Sequence, residues 1–143
     1  MALTPCIVPE VGKATFTIGE QEMEFGMGIH GEPGIVRTKL TTANEMVDEM
    51  MERIFADYHY AAGDEVSILV NSLGATPLEE LYIAYKKISE ICTAKSIMIY
   101  RPYIGRFATS FEMAGMSITI LKLDFELKQM LDFKVDTPFF KQP

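Results

Sequence analysis

Residues 65–93 read EVSILVNSLGATPLEELYIAYKKISEICT, and this stretch decides the fold. Residues 65–71 form a short run rich in β-branched side chains, which predicts a buried strand. After a turn, Thr76 can serve as an N-cap and Pro77 suits the first position of a helix. The apolar residues that follow recur at helical spacing and predict one helix to about Thr93. They are Leu78, Leu81, Tyr82, Tyr85, Ile88 and Ile91.

Toward the C-terminus, the pattern predicts two further strands. Residues 96–105 (SIMIYRPYIG) read as a strand interrupted by Pro102, because proline cannot donate a ladder hydrogen bond. Residues 116–123 (MSITILKL) read as a strongly apolar strand. A short helix or turn is expected at 124–133, and the aromatic tail after it is expected to be extended.

Toward the N-terminus, Thr42 and Glu45 have the spacing of a capping box. The apolar residues behind them recur at three- and four-residue steps, so we expect an amphipathic helix over 42–57. These residues are Met46, Val47, Met50, Met51, Ile54, Phe55 and Tyr58.

Residues 14–18 (ATFTI) and 22–29 (EMEFGMGI) read as two strands joined at GEQ, which predicts a hairpin. The strands therefore do not alternate strictly with helices along the chain. That order predicts an α+β fold, as a two-layer sandwich with a mixed, largely antiparallel sheet and helices on one face. At 143 residues, we expect residues 1–143 to form a single domain.

The net charge of −7 and the pI of about 4.8 exclude two classes of partner. Non-specific binding to nucleic acid or to an anionic membrane requires a basic surface. No apolar run approaches the roughly 20 residues of a membrane-spanning helix. The first ten residues, MALTPCIVPE, do not have the basic and apolar regions of a secretory signal. We therefore expect a cytoplasmic protein.

The cysteines and histidines give no pattern of metal ligands. Cys6 and Cys92 are the two cysteines, and they form no CxxC motif. We expect both to be reduced and largely buried. His59 lies near the predicted end of a helix, where a solvated histidine is the ordinary case. We therefore expect no metal site.

A glycine-rich stretch, FGMGIHGEPG, occupies residues 25–34. Gly26, Gly28 and Gly31 match the letters of the dinucleotide-binding fingerprint, which requires a helix to begin within it. The residues 32–34, Glu-Pro-Gly, prevent such a helix, so we reject a nucleotide site here. The turn before the helix at Thr76 also lacks the P-loop lysine and spacing, and an ordinary strand-to-helix turn is favoured there.

His30 is the candidate reactive group of this stretch. The surrounding glycines allow close approach by a ligand, and a neutral imidazole can act as nucleophile, base or ligand near physiological pH. Glu32 could hold one ring nitrogen as a donor and leave the other free to attack. A structural histidine and a solvated glutamate are the alternatives, and composition does not decide between them.

Three segments carry a resemblance to a known family. Residues 5–34 (PCIVPEVGKATFTIGEQEMEFGMGIHGEPG), 69–82 (LVNSLGATPLEELY) and 104–124 (IGRFATSFEMAGMSITILKLD) resemble segments of the dihydroxyacetone kinase family, in its substrate-binding K subunit or K domain. The resemblance extends from about Leu3 to Phe139 and implies the C-terminal lobe of that subunit. The family's K unit is considerably longer, and the chain resembles no part of its N-terminal half.

The resemblance implies a chemical role for the glycine-rich stretch. In that family, the histidine of the GIHGEPG motif binds dihydroxyacetone covalently as a hemiaminal, and by motif this residue is His30. The same implication makes Gly28, Gly31 and Glu32 substrate-binding residues, with Gly34 helping to shape the loop. Since the ring must be neutral to attack, binding should weaken as the pH falls below the histidine pKa.

The resemblance also implies partners. The family phosphorylates a terminal hydroxyl of the ketone, and nucleotide and magnesium are bound by a separate L subunit or L domain, so this chain itself is expected to bind no cofactor. In the three-subunit form, which this chain resembles more, a phosphotransferase-system subunit rephosphorylates the nucleotide.

A homodimer is also implied. Without the N-terminal half, the chain is expected to be an incomplete enzyme. Two alternatives remain open: a ketone-sensing co-activator paralogue, and a truncated, non-catalytic dimerisation domain.

Overall fold

The strand predicted at 65–71 forms the centre of the main sheet. The computed structural model describes residues 1–14, 16–28 and 32–143. In chain order its elements are β1 (Ile7–Val8), β2 (Lys13–Ala14), β3 (Glu22–Phe25), β4 (Val36–Lys39), α1 (Ala43–Asp57), β5 (Glu65–Ser72), α2 (Leu78–Ala94), β6 (Met98–Gly105), β7 (Met116–Leu123), α3 (Phe125–Leu131), β8 (Val135–Asp136) and β9 (Lys141–Gln142).

The main sheet has the strand order β6-β5-β7. β5 runs parallel to β6 and antiparallel to β7, so the sheet is mixed. The other pairs of described strands, β1 with β2, β3 with β4 and β8 with β9, are all antiparallel. The predicted α+β class with a mixed, largely antiparallel arrangement is confirmed.

The core lies between one face of this sheet and the two long helices. Val66, Ile68 and Val70 of β5 alternate with residues on the other face and are completely buried. They belong to one cluster with the apolar sides of α1 and α2. This alternation explains the burial, because successive side chains of a strand point to opposite faces.

The short helix α3 lies on the other face of the sheet. The Lys128 ammonium of α3 donates to a Glu65 carboxylate oxygen at 2.5 Å, and Glu65 points away from the core. Next to it, Arg101 of β6 forms an ion pair with Asp132 at 2.6 Å. Thus α1 and α2 lie on one face as predicted, whereas α3 contacts the opposite face through polar side chains.

Both long helices have the predicted extents to within two residues. Helix α1 begins after Thr42, whose side chain accepts a hydrogen bond from the Glu45 amide, while the Glu45 side chain accepts one from the Thr42 amide. The capping box is therefore confirmed. Helix α2 covers Leu78–Ala94, against a predicted end at about Thr93.

The predicted hairpin of 14–18 with 22–29 is wrong. β3 ends at Phe25, because the chain turns at Gly26 with φ +74°, and it pairs with the unpredicted β4. Lys13–Ala14 instead pairs with Ile7–Val8. Thr15, within the predicted first strand, lies outside the described residues. The β3–β4 pairing places Met23 and Phe25 in the core.

Pro102 does not interrupt β6, contrary to the prediction. The strand continues through it from Met98 to Gly105. β6 is at the edge of the main sheet and pairs with β5 alone among the described strands, so the missing N–H of proline can face away from the ladder. Proline is tolerated at such an edge position.

Cys6 and Cys92 are both buried, as predicted, and neither forms a disulfide within the described residues. Burial raises the pKa of the Cys92 thiol. Within the described part of the chain, every helix is too short or too polar to cross a membrane.

Truncating β5 in the core should destabilise the fold strongly. Ile68→Ala removes a completely buried side chain, and we expect the free energy of unfolding to fall by about 2–5 kcal/mol. Ile83→Ala is the matched control, because Ile83 is 54% exposed on α2, and its effect should stay within about 0.5 kcal/mol. Urea denaturation followed by circular dichroism measures both. Equal losses in the two variants would contradict this assignment of the core.

Candidate functional site

The glycine-rich stretch forms the connection between β3 and β4. Phe25 and Val36 are the last paired residues, and the Ile35 amide donates to the Phe25 carbonyl at 2.7 Å. Residues 26–34, here called the glycine loop, therefore leave the hairpin and return to it at one place. Ile29, His30 and Gly31 lie outside the described residues. The predicted roles of His30 and Gly31 stay predictions.

Gly28 and Glu32, two of the predicted substrate-binding residues, are brought together. The Gly28 amide donates to the Glu32 carbonyl at 3.2 Å. A Cβ on residue 28 would overlap the Glu32 carboxylate, so this side chain lies against the Gly28 backbone. A side chain at position 28 would push the Glu32 carboxylate away, so glycine there keeps this contact.

Glu24 joins both sides of the hairpin just below the glycine loop. One carboxylate oxygen accepts from the Gly34 amide at 2.6 Å, and the other accepts from the Arg37 guanidinium at 2.9 Å. The Gly34 hydrogen bond, with help from Arg37, holds the pKa of the Glu24 carboxyl below its usual value. Sequence reasoning missed Glu24, because its alternation with Met23 and Phe25 is typical of a solvent-facing residue.

The three segments that carry the resemblance meet below the loop. Leu73 from the second segment and Met113 from the third pack together, and Met27 of the glycine loop packs against them. The same small cluster includes Ala2, Cys6 and Phe16. We call residues 72–76 and 110–115, which supply its centre, the platform. Sequence order alone gave no sign that these segments touch.

Backbone hydrogen bonds hold the two halves of the platform together. The Leu73 amide donates to the Gly115 carbonyl at 3.0 Å, and the Ser110 amide donates to the Leu73 carbonyl at 2.7 Å. Gly74 has φ +145°, and a Cβ there would overlap the Phe111 carbonyl. Glycine is therefore required at position 74 by both the backbone angle and the close approach of the second half.

Thr76 does not cap α2, contrary to the prediction. Pro77 occupies the N-cap position, with no side-chain capping hydrogen bond. The Thr76 hydroxyl instead donates to the Gly115 carbonyl at 2.7 Å and accepts from the Gly115 amide at 2.9 Å. The hydroxyl thus joins the two halves of the platform. Its hydrogen bonds to Gly115 replace the capping hydrogen bond that was expected at the start of α2.

Asn71, at the end of β5, fixes the chain that leads into the second half of the platform. Its side-chain oxygen accepts from the amides of Phe107 and Ala108 at 2.8 and 3.0 Å. Its side-chain nitrogen donates to the Ala108 carbonyl at 2.7 Å and to the Ser117 hydroxyl at 3.2 Å. Asn71 is 2% exposed, so these bonds replace water entirely.

Among the described residues, no group of three or more histidine, cysteine, aspartate and glutamate side chains is arranged to hold a metal ion. His59 and Cys92 therefore take part in no such cluster. The candidate site is therefore the glycine loop, whose two ends are joined by the buried Glu24 carboxylate and whose Met27 packs on the platform. Such a support can present a reactive side chain in a fixed direction.

Removing the Asn71 side chain should destabilise the platform. Asn71→Ala removes the side-chain oxygen that accepts from the amides of Phe107 and Ala108, and each hydrogen bond lost costs about 0.5–1.5 kcal/mol. Ser117→Ala removes only one contact with Asn71 and should cost about 1 kcal/mol or less. Urea denaturation compares the two variants. An Asn71 variant as stable as the Ser117 variant would show that water replaces these bonds.

Comparisons with known proteins identify the family of this chain. The model of the Dak1 domain matches residues 1–139. The dihydroxyacetone-binding subunit DhaK of PTS-dependent dihydroxyacetone kinase 2 from Listeria innocua is 47% identical over 141 residues, covering 99% of this chain and 43% of that protein. The corresponding subunit of the PEP-dependent kinase from Escherichia coli is 41% identical, covering 96% of this chain and 46% of that protein.

Solved structures show the same fold. The dihydroxyacetone kinase operon co-activator DhaQ superposes with a TM-score of 0.85 at 29% identity, covering 93% of this chain and 42% of that one. The dihydroxyacetone kinase of C. freundii superposes with a TM-score of 0.77 at 23% identity, covering 99% of this chain and 26% of that one. The chain thus spans less than half the length of these relatives. It belongs to the Dak1 domain family, whose members among its relatives include the dihydroxyacetone-binding subunits of dihydroxyacetone kinases.

Proposed function

We propose that this chain is the histidine-bearing part of a dihydroxyacetone-binding K subunit, and that His30 captures the ketone covalently. The observation that carries the proposal is the glycine loop, which is closed by Glu24 and supported by a platform built from the other two family segments. The names of its relatives supply the substrate class. The proposal takes residues 1–143 as one domain, equivalent to the C-terminal lobe of the subunit.

Covalent capture suits so small a substrate. Dihydroxyacetone has few atoms, and the affinity available from non-covalent contacts is limited by ligand size. In the proposed step, the lone pair of a ring nitrogen of His30 forms a bond to the ketone carbon. The carbonyl π electrons move to the oxygen, which takes up a proton, while the imidazolium loses its other N–H proton. The product is a neutral hemiaminal, and no atom is lost overall.

Gly28 and Glu32 are the described residues with proposed roles beside His30. Glycine at position 28 keeps space for the Glu32 carboxylate against the backbone. That carboxylate can accept a ring N–H and so select the tautomer whose other nitrogen attacks. Gly31 is proposed to allow close approach of the substrate.

Phosphoryl transfer is proposed to need other proteins. A partner L subunit would bring the nucleotide and magnesium, which supply the phosphoryl group and neutralise its developing charge. This chain would hold the ketone with a terminal hydroxyl presented to that partner. A phosphotransferase-system subunit would act on the nucleotide indirectly, which agrees with the PTS-dependent and PEP-dependent names of the relatives. The subunit is also proposed to form a homodimer.

A ketone-sensing co-activator is the second candidate, favoured by the TM-score of 0.85 with the co-activator DhaQ. Both candidates would bind dihydroxyacetone. They differ when the chain is mixed with an L subunit and a phosphoryl donor, because a sensor would support no formation of dihydroxyacetone phosphate. Since the chain spans less than half of its relatives, this assay is best run with the dihydroxyacetone-binding subunit of Escherichia coli beside it as a positive control.

Intact mass spectrometry under gentle ionisation tests the capture step. The chain mixed with dihydroxyacetone should gain the mass of one ketone, and His30→Ala should abolish that gain because the attacking nitrogen is gone. His59→Ala is the matched control, since His59 is the second of two histidines, and it should keep the adduct. An adduct that survives His30→Ala would overturn the proposal, and so would a parent chain that forms none.

The same adduct should depend on pH. A protonated imidazole has no lone pair to donate, so the fraction of chain carrying the adduct should fall as the pH is lowered through the range in which histidines titrate. The fraction is measured at equal ketone concentration across that range. A flat profile would contradict attack by a histidine.

A further inference from the structure

We propose that Glu24 is a positioning residue for ketone capture, an inference that rests on the proposed function. Its carboxylate accepts from the amide of Gly34, where the glycine loop returns to β4, and His30 belongs to the same loop by its place in the sequence. Glu24 lies six residues before His30 in the chain and is one of the few buried polar residues of the described structure. The mechanism proposed above gives it no chemical step.

The backbone of Glu24 is held by the N-terminal segment. The Ala2 amide donates to the Glu24 carbonyl at 2.8 Å, and the Glu24 amide donates to the Ala2 carbonyl at 2.9 Å. On its other side, Ala2 forms a bridge with Gly115 of the platform. Glu24 is therefore tied through Ala2 to the part of the structure that supports the loop.

The side chain of Glu24 uses both oxygens across the hairpin. Gly34, at the end of the glycine loop, donates its amide to one oxygen, and Arg37 of β4 donates to the other. Glu24 is 7% exposed, and a buried carboxylate is costly unless it is paired. The carboxylate therefore favours the arrangement in which Gly34 and Arg37 both donate to it.

Gly34 fits closely against this carboxylate. A Cβ on residue 34 would lie 2.6 Å from the Glu24 Cγ and 2.5 Å from the Phe25 carbonyl oxygen. The loop therefore returns to β4 in contact with the residues where it left β3. Holding the two ends of a loop together reduces the number of conformations open to it, and alignment of a reactive group speeds its reaction.

The test compares substitutions at two glutamates of one strand. Glu24→Gln keeps an acceptor for Gly34 but loses the charge that pairs with Arg37, and Glu24→Ala loses both. Glu22→Gln is the matched control, because Glu22 lies on the same strand and accepts from the Gly19 amide at the far end of the hairpin. Ile88→Val, a buried change in α2, controls for a general loss of stability.

Two readouts separate positioning from folding and from the proposed function. The first is hydrogen exchange of the amides of 26–35, which needs no ketone, and it should quicken in both Glu24 variants but not in Glu22→Gln. The second is the dihydroxyacetone concentration at half-maximal adduct, which should rise about tenfold or more in Glu24→Ala, and less in Glu24→Gln. Ile88→Val should leave that concentration unchanged.

Each result decides one question. Unchanged adduct formation in the Glu24 variants, with a parent chain that reacts, would overturn the positioning role and leave the proposed function intact. An equal loss in Ile88→Val would also overturn it, because the effect would then follow stability alone. If the parent chain forms no adduct, the proposed function fails. If hydrogen exchange of the amides of 26–35 is also unchanged in the Glu24 variants, the claim that Glu24 orders the loop is rejected as well.

Discussion

The structure depends on the pairing of β5 on both of its edges. Among the described strands, β6 and β7 are hydrogen-bonded to β5 and not to each other. One face of β5 supplies the buried residues Val66, Ile68 and Val70, against which α1 and α2 pack. The end of the same strand supplies Asn71, and the chain then continues directly into the platform. Stability and the candidate site therefore depend on one eight-residue strand.

Hydrogen bonds and apolar contacts connect β5 to the glycine loop through the platform. Asn71 holds residues 107 and 108, just before the second half of the platform, and Thr76 bonds to Gly115 within it. Leu73 and Met113 meet Met27 of the loop in a small apolar cluster. Ordering of this kind is achieved when the chain folds. Under the proposed function, the cost of aligning a reactive side chain would then not be repeated at each encounter with a substrate. A small ketone, which offers little binding area, would gain most from such preorganisation.

The sequence predicted what local rules control and missed what distant segments decide. The capping box of α1, the strand at 65–71 and the helix after it follow from spacing within a few residues, and all three are present. The partner of β3 is chosen by burial of Met23 and Phe25, which no local pattern encodes. Thr76 bonds to Gly115, 39 residues away, instead of capping its own helix. Glu24 alternates with apolar residues as a solvent-facing residue would, but in the fold its carboxylate pairs with Arg37 of β4. His30 was singled out by its glycines and by the family resemblance, and the described residues do not include it.

Covalent capture is tested most directly by the bonding of the ketone carbon when dihydroxyacetone binds. Dihydroxyacetone labelled with ¹³C at its carbonyl carbon would be mixed with the chain containing ¹⁵N-labelled histidine, and the bound carbon observed by NMR. Covalent capture by His30 predicts a protein-bound tetrahedral carbon with one-bond coupling to a histidine ring nitrogen, absent from His30→Ala. A bound ketone that stays trigonal, or a tetrahedral carbon without that coupling, would show that His30 does not capture it covalently.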